Sequence, residues 1–249
     1  MEPQLLHSVA DGVATVVIHH PAKRNTMTAD MWGALPSLLD ELASDAAVKA
    51  LVLTGHGDTF CAGADISTLL DSPAEAQALA ARAEESLAAF PKPILAAIRG
   101  YCVGGGSQLA AACDLRFAET GSLFGVTPAK LGIVYPASAT RRLVSLVGPA
   151  TAKYLLFSGE LIDAERALRT GFVDEVLPEG QLDKRVAEFT RVLTARSQLT
   201  QAAAKEFANG REDRDAYWAQ QARGSGESTE GVAAFLERRR PRFTWTTSG

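Results

Sequence analysis

The chain has 249 residues, 47% of them hydrophobic, and a formal net charge of −4. That suits one large domain with a real core, or one domain with a small appendage, and the acidic balance argues against a general nucleic-acid binder. Three cysteines, Cys61, Cys102 and Cys113, form no CxxC pair. They point away from a disulfide framework or a zinc site and toward a reducing compartment, so a cytoplasmic location is expected.

The first residues, Met1-Glu2-Pro3-Gln4, lack the basic and apolar segments of a secretion signal. No apolar run is long enough to span a bilayer, and no membrane partner is expected. Val13 to His20 is a β-branched apolar run ending at Pro21 and predicts a strand. Thr28 to Leu42 has helical apolar spacing, with Thr28 as N-cap, Asp30 in the first turn and Pro36 as a candidate kink. Ala50 to Leu53 predicts a short buried strand, and Ala74 to Phe90 an Ala-rich helix stopped by Pro91-Lys92-Pro93. Ile94 to Ile98 and Leu115 to Ala118 read as further strands, separated by a Gly-rich loop that feeds a helix over 104–112. The strand–turn–helix pattern continues to about Val176. From Gln181 onward it gives way to helices over 181–194, 198–222 and 229–239, with Gly224-Ser225-Gly226 as a break. The division expected is an α/β core over 1–180 and a helical region over 181–249. The triplet Arg238-Arg239-Arg240 reads as a solvated helix end or, less readily, as a contact for an anionic ligand.

Two segments carry the chemistry. They are Thr59-Phe60-Cys61-Ala62-Gly63-Ala64-Asp65-Ile66 and Gly100-Tyr101-Cys102-Val103-Gly104-Gly105-Gly106-Ser107-Gln108. Each follows a predicted strand and precedes a predicted helix, which leaves unpaired amides at a helix start. Such amides hold an anion or a developing oxyanion, and glycine lets a ligand approach the backbone closely. Taken singly, each segment is a weak signal, and three consecutive glycines are more often a tight turn or close helix packing than a site. The dinucleotide GxGxxG unit and the GxxxxGK[ST] phosphate loop are absent. GGGSQ is not the GxSxG elbow, and no histidine follows it in the chain, which disfavours a serine hydrolase.

In combination the segments resemble the crotonase (enoyl-CoA hydratase/isomerase) superfamily. The chain reads Phe60-Cys61-Ala62-Gly63-Ala64-Asp65-Ile66, then Pro91-Lys92-Pro93-Ile94-Leu95-Ala96-Ala97-Ile98-Arg99-Gly100, then Gly104 to Gly106. Cys113-Asp114-Leu115-Arg116 and Phe124 to Gly132 follow, and the stretches 157–173 and 235–243 continue the likeness to the end. The resemblance implies a crotonase-like spiral of repeated ββα units with a helical C-terminal trimerisation region. It also implies an acyl-CoA substrate, a homotrimer or a hexamer of two trimers, and no metal or cofactor beyond the coenzyme A of the substrate. By position, the oxyanion amides are those of Ala64 and Gly105. Lys23 and Arg24, with the backbone at Ala62, Asp65 and Ile66, are the implied coenzyme A contacts. Asp65 also reads as a helix cap, and Asp114 as ordering the backbone near the glycine loop.

The chain departs from the family's hydratases at two positions. A hydratase of this kind uses two glutamates around one water, because the water loses a proton while the α-carbon gains one. Those positions are Gln108 and Pro128 here, and neither side chain exchanges a proton at neutral pH. Isomerase or decarboxylase chemistry is therefore expected, with a catalytically inactive thioester-binding protein as the alternative. Thr127 to Tyr135 resembles the TPxxLGxxY segment of the methylmalonyl-CoA decarboxylase branch, although that branch often has histidine where this chain has Ala64. Tyr135 is the candidate donor; it also reads as a structural tyrosine with a satisfied hydroxyl. Gln108 is a candidate substrate contact or helix filler, and Thr127 a candidate turn cap. Asp71, Glu75, Glu84 and Glu85 are candidate bases among which the sequence does not choose. His7, His19, His20 and His56 read as strand or loop residues without triad or metal spacing.

Overall fold

The structure, a computed structural model, describes residues 2–66 and 73–247. Strands β1 (Gln4–Ala10) and β2 (Val13–His19) form an antiparallel hairpin. Its two-residue loop is Asp11-Gly12, with φ of 52° and 82°. Two positive φ values give the turn whose twist matches paired strands. Helix α1 (Ala29–Ser44) starts where the Thr28 hydroxyl accepts from the Met31 amide. It runs through Pro36 without a break, with no non-helical residue inside. Strands β3 (Ala50–Gly55) and β4 (Ile94–Ile98) flank helix α2 (Pro73–Ala89). Every residue of β4 is buried, which is why the strand reads as a continuous apolar run.

Two ββα units follow: β5 (Tyr101–Val103) leads to α3 (Gly105–Ala112), and β6 (Leu115–Glu119) with β7 (Leu123–Gly125) leads to α4 (Ala137–Ser158). Helix α4 is broken at Gly148, where φ is 75° before Pro149. The chain continues through β8 (Ile162–Asp163), α5 (Ala164–Thr170) and β9 (Glu175–Leu177). The main sheet has the order β1-β2-β3-β4-β6-β9 and is parallel after its first pair. A small sheet of order β5-β7-β8 stands beside it. This is the expected α/β spiral.

Alternate strand residues enter separate cores. One face packs Val16, Ile18, Leu51, Leu53 and Ile98 against Trp32, Leu35, Leu87 and Leu109 of α1, α2 and α3. The other packs Val52, Leu95, Ala97 and Phe117 against Leu182 and Val186 of α6 (Leu182–Thr194). The region expected as one helix over 198–222 is two, α7 (Gln198–Ala208) and α8 (Asp215–Ser225). The break falls at Asn209-Gly210, where Gly210 takes φ of 78°, and the apolar face continues across it through Leu199, Ala202 and Trp218. Helix α9 (Glu227–Leu236) completes the order. Lys205 of α7 docks this region, its ammonium lying 2.8 Å from an Asp114 carboxylate oxygen and 3.0 Å from the Lys92 carbonyl. Asp114 also accepts from the Ile94 amide at 2.7 Å. It therefore orders the start of β4 and the docking of α7, not the glycine loop. Of the basic triplet, Arg239 is paired within the chain to Glu230 and Glu237. Among the described residues, no helix is long and apolar enough to cross a membrane, and no group of three His, Cys, Asp or Glu could hold a metal.

Candidate active site between two parallel turns

The two motif segments lie side by side. Cys61 pairs with Cys102 in a parallel bridge, its amide donating to the Tyr101 carbonyl at 2.8 Å and its carbonyl accepting from Val103 at 3.0 Å. Three residues on, Met27 pairs with Ala64, and the bonds of that bridge engage the Gly63 carbonyl and the Asp65 amide. Parallel pairing of this kind skips the residue between, so the Ala64 amide has no acceptor among the described residues. Gly104, at φ 56° and ψ −118°, holds a backbone turn that a side chain would oppose. The Gly105 amide then opens α3, where no preceding turn supplies a carbonyl. A Cβ on Gly105 would stand 3.5 Å from the Ala64 nitrogen, and one on Gly63 would stand 3.7 Å from the Gly105 nitrogen. Two unengaged amides thus lie at adjacent points of a solvent-poor turn, an arrangement able to hold a developing negative charge.

A cavity of about 140 Å³ opens over them. Ala62, Gly63, Ala64, Gly104 and Gly105 form one wall; Ala76, Gln77, Ala80 and Ala81 of α2 form another; Leu131, Ile133, Val134, Tyr135 and Pro136 form a third. Trp32, Gln108, Thr127 and Pro128 complete it. The structure therefore brings Ala64, Gly105, Gln108 and Tyr135 to one cavity, with Ala62 and Ile66 at its edge. The Tyr135 hydroxyl and the Thr127 hydroxyl lie 3.9 Å and 3.4 Å from where a Cβ on Gly104 would be. Thr127 faces the site and makes no side-chain cap bond, unlike the turn cap expected. Burial pushes the Tyr135 phenol up, and the negative charge of Glu84 adds to the rise. The phenol therefore keeps its proton at neutral pH.

None of the described candidate bases lines this cavity. Glu75 and Glu85 are exposed. Glu84 is buried and 2.5 Å from the Arg142 guanidinium, yet loss of hydration outweighs that pairing and lifts its carboxyl to about 7. Asp71 lies outside the described residues. The Ser107 hydroxyl, within 2.6 Å of the Cys102 carbonyl and 2.9 Å of the Gly125 carbonyl, ties backbone together and is no nucleophile. The three cysteines are free and buried, and burial pushes the Cys61 and Cys113 thiols up to about 12, which makes both inert. His19 and His56 pack edge to face at 4.5 Å, and His20 binds the Thr26 carbonyl, all away from the cavity.

The implied coenzyme A contacts sit on a turn held by buried Asn25. The His20 amide donates to its side-chain oxygen at 3.0 Å, and its side-chain nitrogen donates to the carbonyls of His56 and Thr59 at 2.8 and 2.6 Å. Lys23 is half exposed, with its ammonium 2.7 Å from Asp65. Arg24 lies 4.8 Å above the Tyr101 ring. The amides of Ala62 and Asp65 are engaged by the carbonyls of Arg24 and Met27, so neither amide is offered to a ligand. The helix that Asp65 was expected to cap falls on residues of which only Ile66 is described. Trp32 and Gln77 are cavity residues that sequence patterning missed, since neither lies in a motif and only the packing of α1 and α2 brings them there.

The family model for enoyl-CoA hydratase/isomerase matches residues 8–246. A crotonyl-CoA hydratase of Syntrophomonas wolfei is 33% identical over 244 residues, covering 93% of this chain and 94% of the relative. A 2,3-dehydroadipyl-CoA hydratase of Escherichia coli is 30% identical, covering 96% and 98%. The crystal structure of an enoyl-CoA hydratase/isomerase family member superposes with a TM-score of 0.91 at 37% identity, covering 99% and 98% of the two chains.

Proposed function

The chain belongs to the enoyl-CoA hydratase/isomerase family, and on that premise we propose that it converts a short acyl-CoA through a thioester enolate, by decarboxylation of a malonyl-type acyl group. The thioester oxygen sits between the Ala64 and Gly105 amides, whose hydrogen bonds strengthen as the oxygen gains charge. The bond from the α-carbon to the carboxylate breaks, its electron pair passes into the enolate, and CO2 leaves. The α-carbon then takes a proton. Tyr135 orients the carboxylate through its hydroxyl and is the proton source at the site; Gln108 adds a hydrogen bond to the acyl group. Lys23 and Arg24 face the coenzyme A phosphates, with the backbone at Ala62, Asp65 and Ile66 along the pantetheine.

One observation carries this reading. The polar side chains among the described cavity residues are Trp32, Gln77, Gln108, Thr127 and Tyr135, all of them uncharged donors. Hydration needs a base for water and an acid for carbon, and a double-bond shift needs a group that takes a proton and returns it. Decarboxylation needs no base, only a proton source once CO2 has left. It is favoured by a carboxylate oriented by neutral donors, because a cation there would stabilise the charge that must leave. The relatives named above are hydratases; the substitutions at Gln108 and Pro128 separate this chain from that chemistry. The same lack of acid and base groups supports a second reading, a thioester-binding protein without turnover. No metal or further cofactor enters the proposal, and the assembly proposed is a trimer or a hexamer, which light scattering reads directly.

The test is to incubate the protein with crotonyl-CoA, a 3-enoyl-CoA and methylmalonyl-CoA and to identify products by mass spectrometry. Propionyl-CoA from methylmalonyl-CoA alone is the expected result. Rapid formation of 3-hydroxybutyryl-CoA would overturn the assignment of Gln108 and Pro128. Tight binding of all three with no product would favour the binding protein.

A further inference from the structure

We infer that Trp32 sets the upper size of the acyl group, closing the cavity behind the two amides to chains longer than about four carbons. The inference rests on the acyl-CoA reading above but not on the reaction. Trp32 occupies the first turn of α1, whose start is fixed by the Trp32 amide donating to the Thr28 carbonyl at 3.0 Å. Trp32 is 3% exposed, whereas Ile66, Leu131 and Val134 of the same cavity lining are exposed and mark its mouth. The acyl group therefore enters past those three residues and ends at the indole. The six-membered edge of the ring lies against the glycine turn: a Cβ on Gly105 would meet Trp32 Cζ2 at 2.9 Å and Cη2 at 3.3 Å. The α2 wall beside it is Ala76, Gln77, Ala80 and Ala81, three of the four ending in a single methyl, so most of the bulk that limits depth comes from Trp32.

A second observation separates this role from core filling. The indole Nε1 is buried and has no hydrogen-bond partner among the described residues. Buried tryptophan normally satisfies that donor, and leaving it unsatisfied disfavours folding. Leucine or phenylalanine would fill the α1 face without that penalty, so what the indole adds is volume at the cavity end. The cavity of about 140 Å³ holds on the order of five water-sized or methylene-sized groups, which suits a three- or four-carbon acyl group with one substituent.

Saturated thioesters test the inference, because they bind without turnover. Dissociation constants for propionyl-, butyryl-, hexanoyl- and octanoyl-CoA are measured by calorimetry on the wild-type protein, Trp32→Leu and Trp32→Phe. The wild-type protein is expected to hold the first two and to weaken about tenfold or more at hexanoyl-CoA. Trp32→Leu is expected to recover hexanoyl-CoA by a similar factor while propionyl-CoA changes less than about threefold. Trp32→Phe, which keeps a ring on Gly105, carries the test if the leucine variant does not fold; its hexanoyl-to-propionyl ratio shifts in the same direction by a smaller factor. A wild-type profile flat to octanoyl-CoA, or a profile unchanged in both variants, overturns the inference and leaves the acyl-CoA reading intact. Binding of no acyl-CoA at all overturns that reading and the inference with it.

Discussion

Gly105→Ala isolates the glycine turn from the rest of the site. Gly105 has helical dihedrals, so alanine is allowed by its backbone and the penalty is steric. The new Cβ would lie 2.9 Å from Trp32 Cζ2, against an ordinary contact of at least 3.4 Å, so indole or turn must give by about half an ångström. Trp32 is buried and cannot swing into solvent. Overpacking of this kind costs about 2 kcal/mol, or a fall of roughly 4–8 °C in Tm for a chain of this length. A displacement of that size at the Gly105 amide lowers kcat by about tenfold to a hundredfold. Thermal unfolding and product formation from methylmalonyl-CoA measure the two effects. In a Trp32→Leu background the collision is gone, so Gly105→Ala is expected to cost much less Tm there than in the wild-type protein. Wild-type Tm and kcat in Gly105→Ala, or an equal Tm loss in both backgrounds, would refute the reasoning. Gly106→Ala is the contrasting case: its Cβ would meet the Cys61 carbonyl oxygen at 2.2 Å, a backbone atom without freedom to move, so misfolded protein is expected on expression.

Tyr135→Phe removes the donor and is expected to lower kcat by about a hundredfold with little change in KM; full turnover would remove Tyr135 from the mechanism. Since its phenol is pushed up by burial and by Glu84, activity shows no alkaline loss from this group up to pH 10. Glu84 is raised from 4.5 to about 7, so the folded state holds its proton more tightly than the unfolded chain. That contribution is complete below pH 4.5 and is lost as pH rises through about 7, by roughly 3 kcal/mol at most. Urea unfolding of Glu84→Gln at pH 5 and pH 8 is expected to show a smaller decline than the wild-type protein; equal declines would contradict the raised carboxyl. Lys23→Met is expected to weaken propionyl-CoA binding about tenfold while leaving turnover of a pantetheine thioester unchanged. An equal effect on both would show that Lys23 acts through Asp65 and not on the nucleotide.

Strands β2, β3, β4 and β6 were legible because buried parallel strands leave short continuous apolar runs. Strand β1 was not, since its edge position leaves all but one residue exposed; the Asp11-Gly12 pair was the signal available for it. The helix expected over 198–222 broke at Gly210 because apolar spacing survives a short turn when both helices pack on one surface. Ala64, Gly105, Gln108 and Tyr135 were legible as motif positions, and the fold brings them to one cavity. The choice among Glu75, Glu84 and Glu85 was not, because burial of Glu84 and its pairing with Arg142 arise from α2 meeting α4. Trp32 was hidden for the same reason: at helical spacing it reads as core, and only the fold sets it under Gly105.

The central claim is that the two amides serve an enolate formed by loss of CO2. Incubation of the protein with methylmalonyl-CoA in D2O, followed by mass spectrometry, tests it most directly. The account predicts propionyl-CoA carrying a single deuterium at the α-carbon, and no hydration of crotonyl-CoA in a parallel sample. Unchanged methylmalonyl-CoA beside 3-hydroxybutyryl-CoA formed from crotonyl-CoA would contradict it.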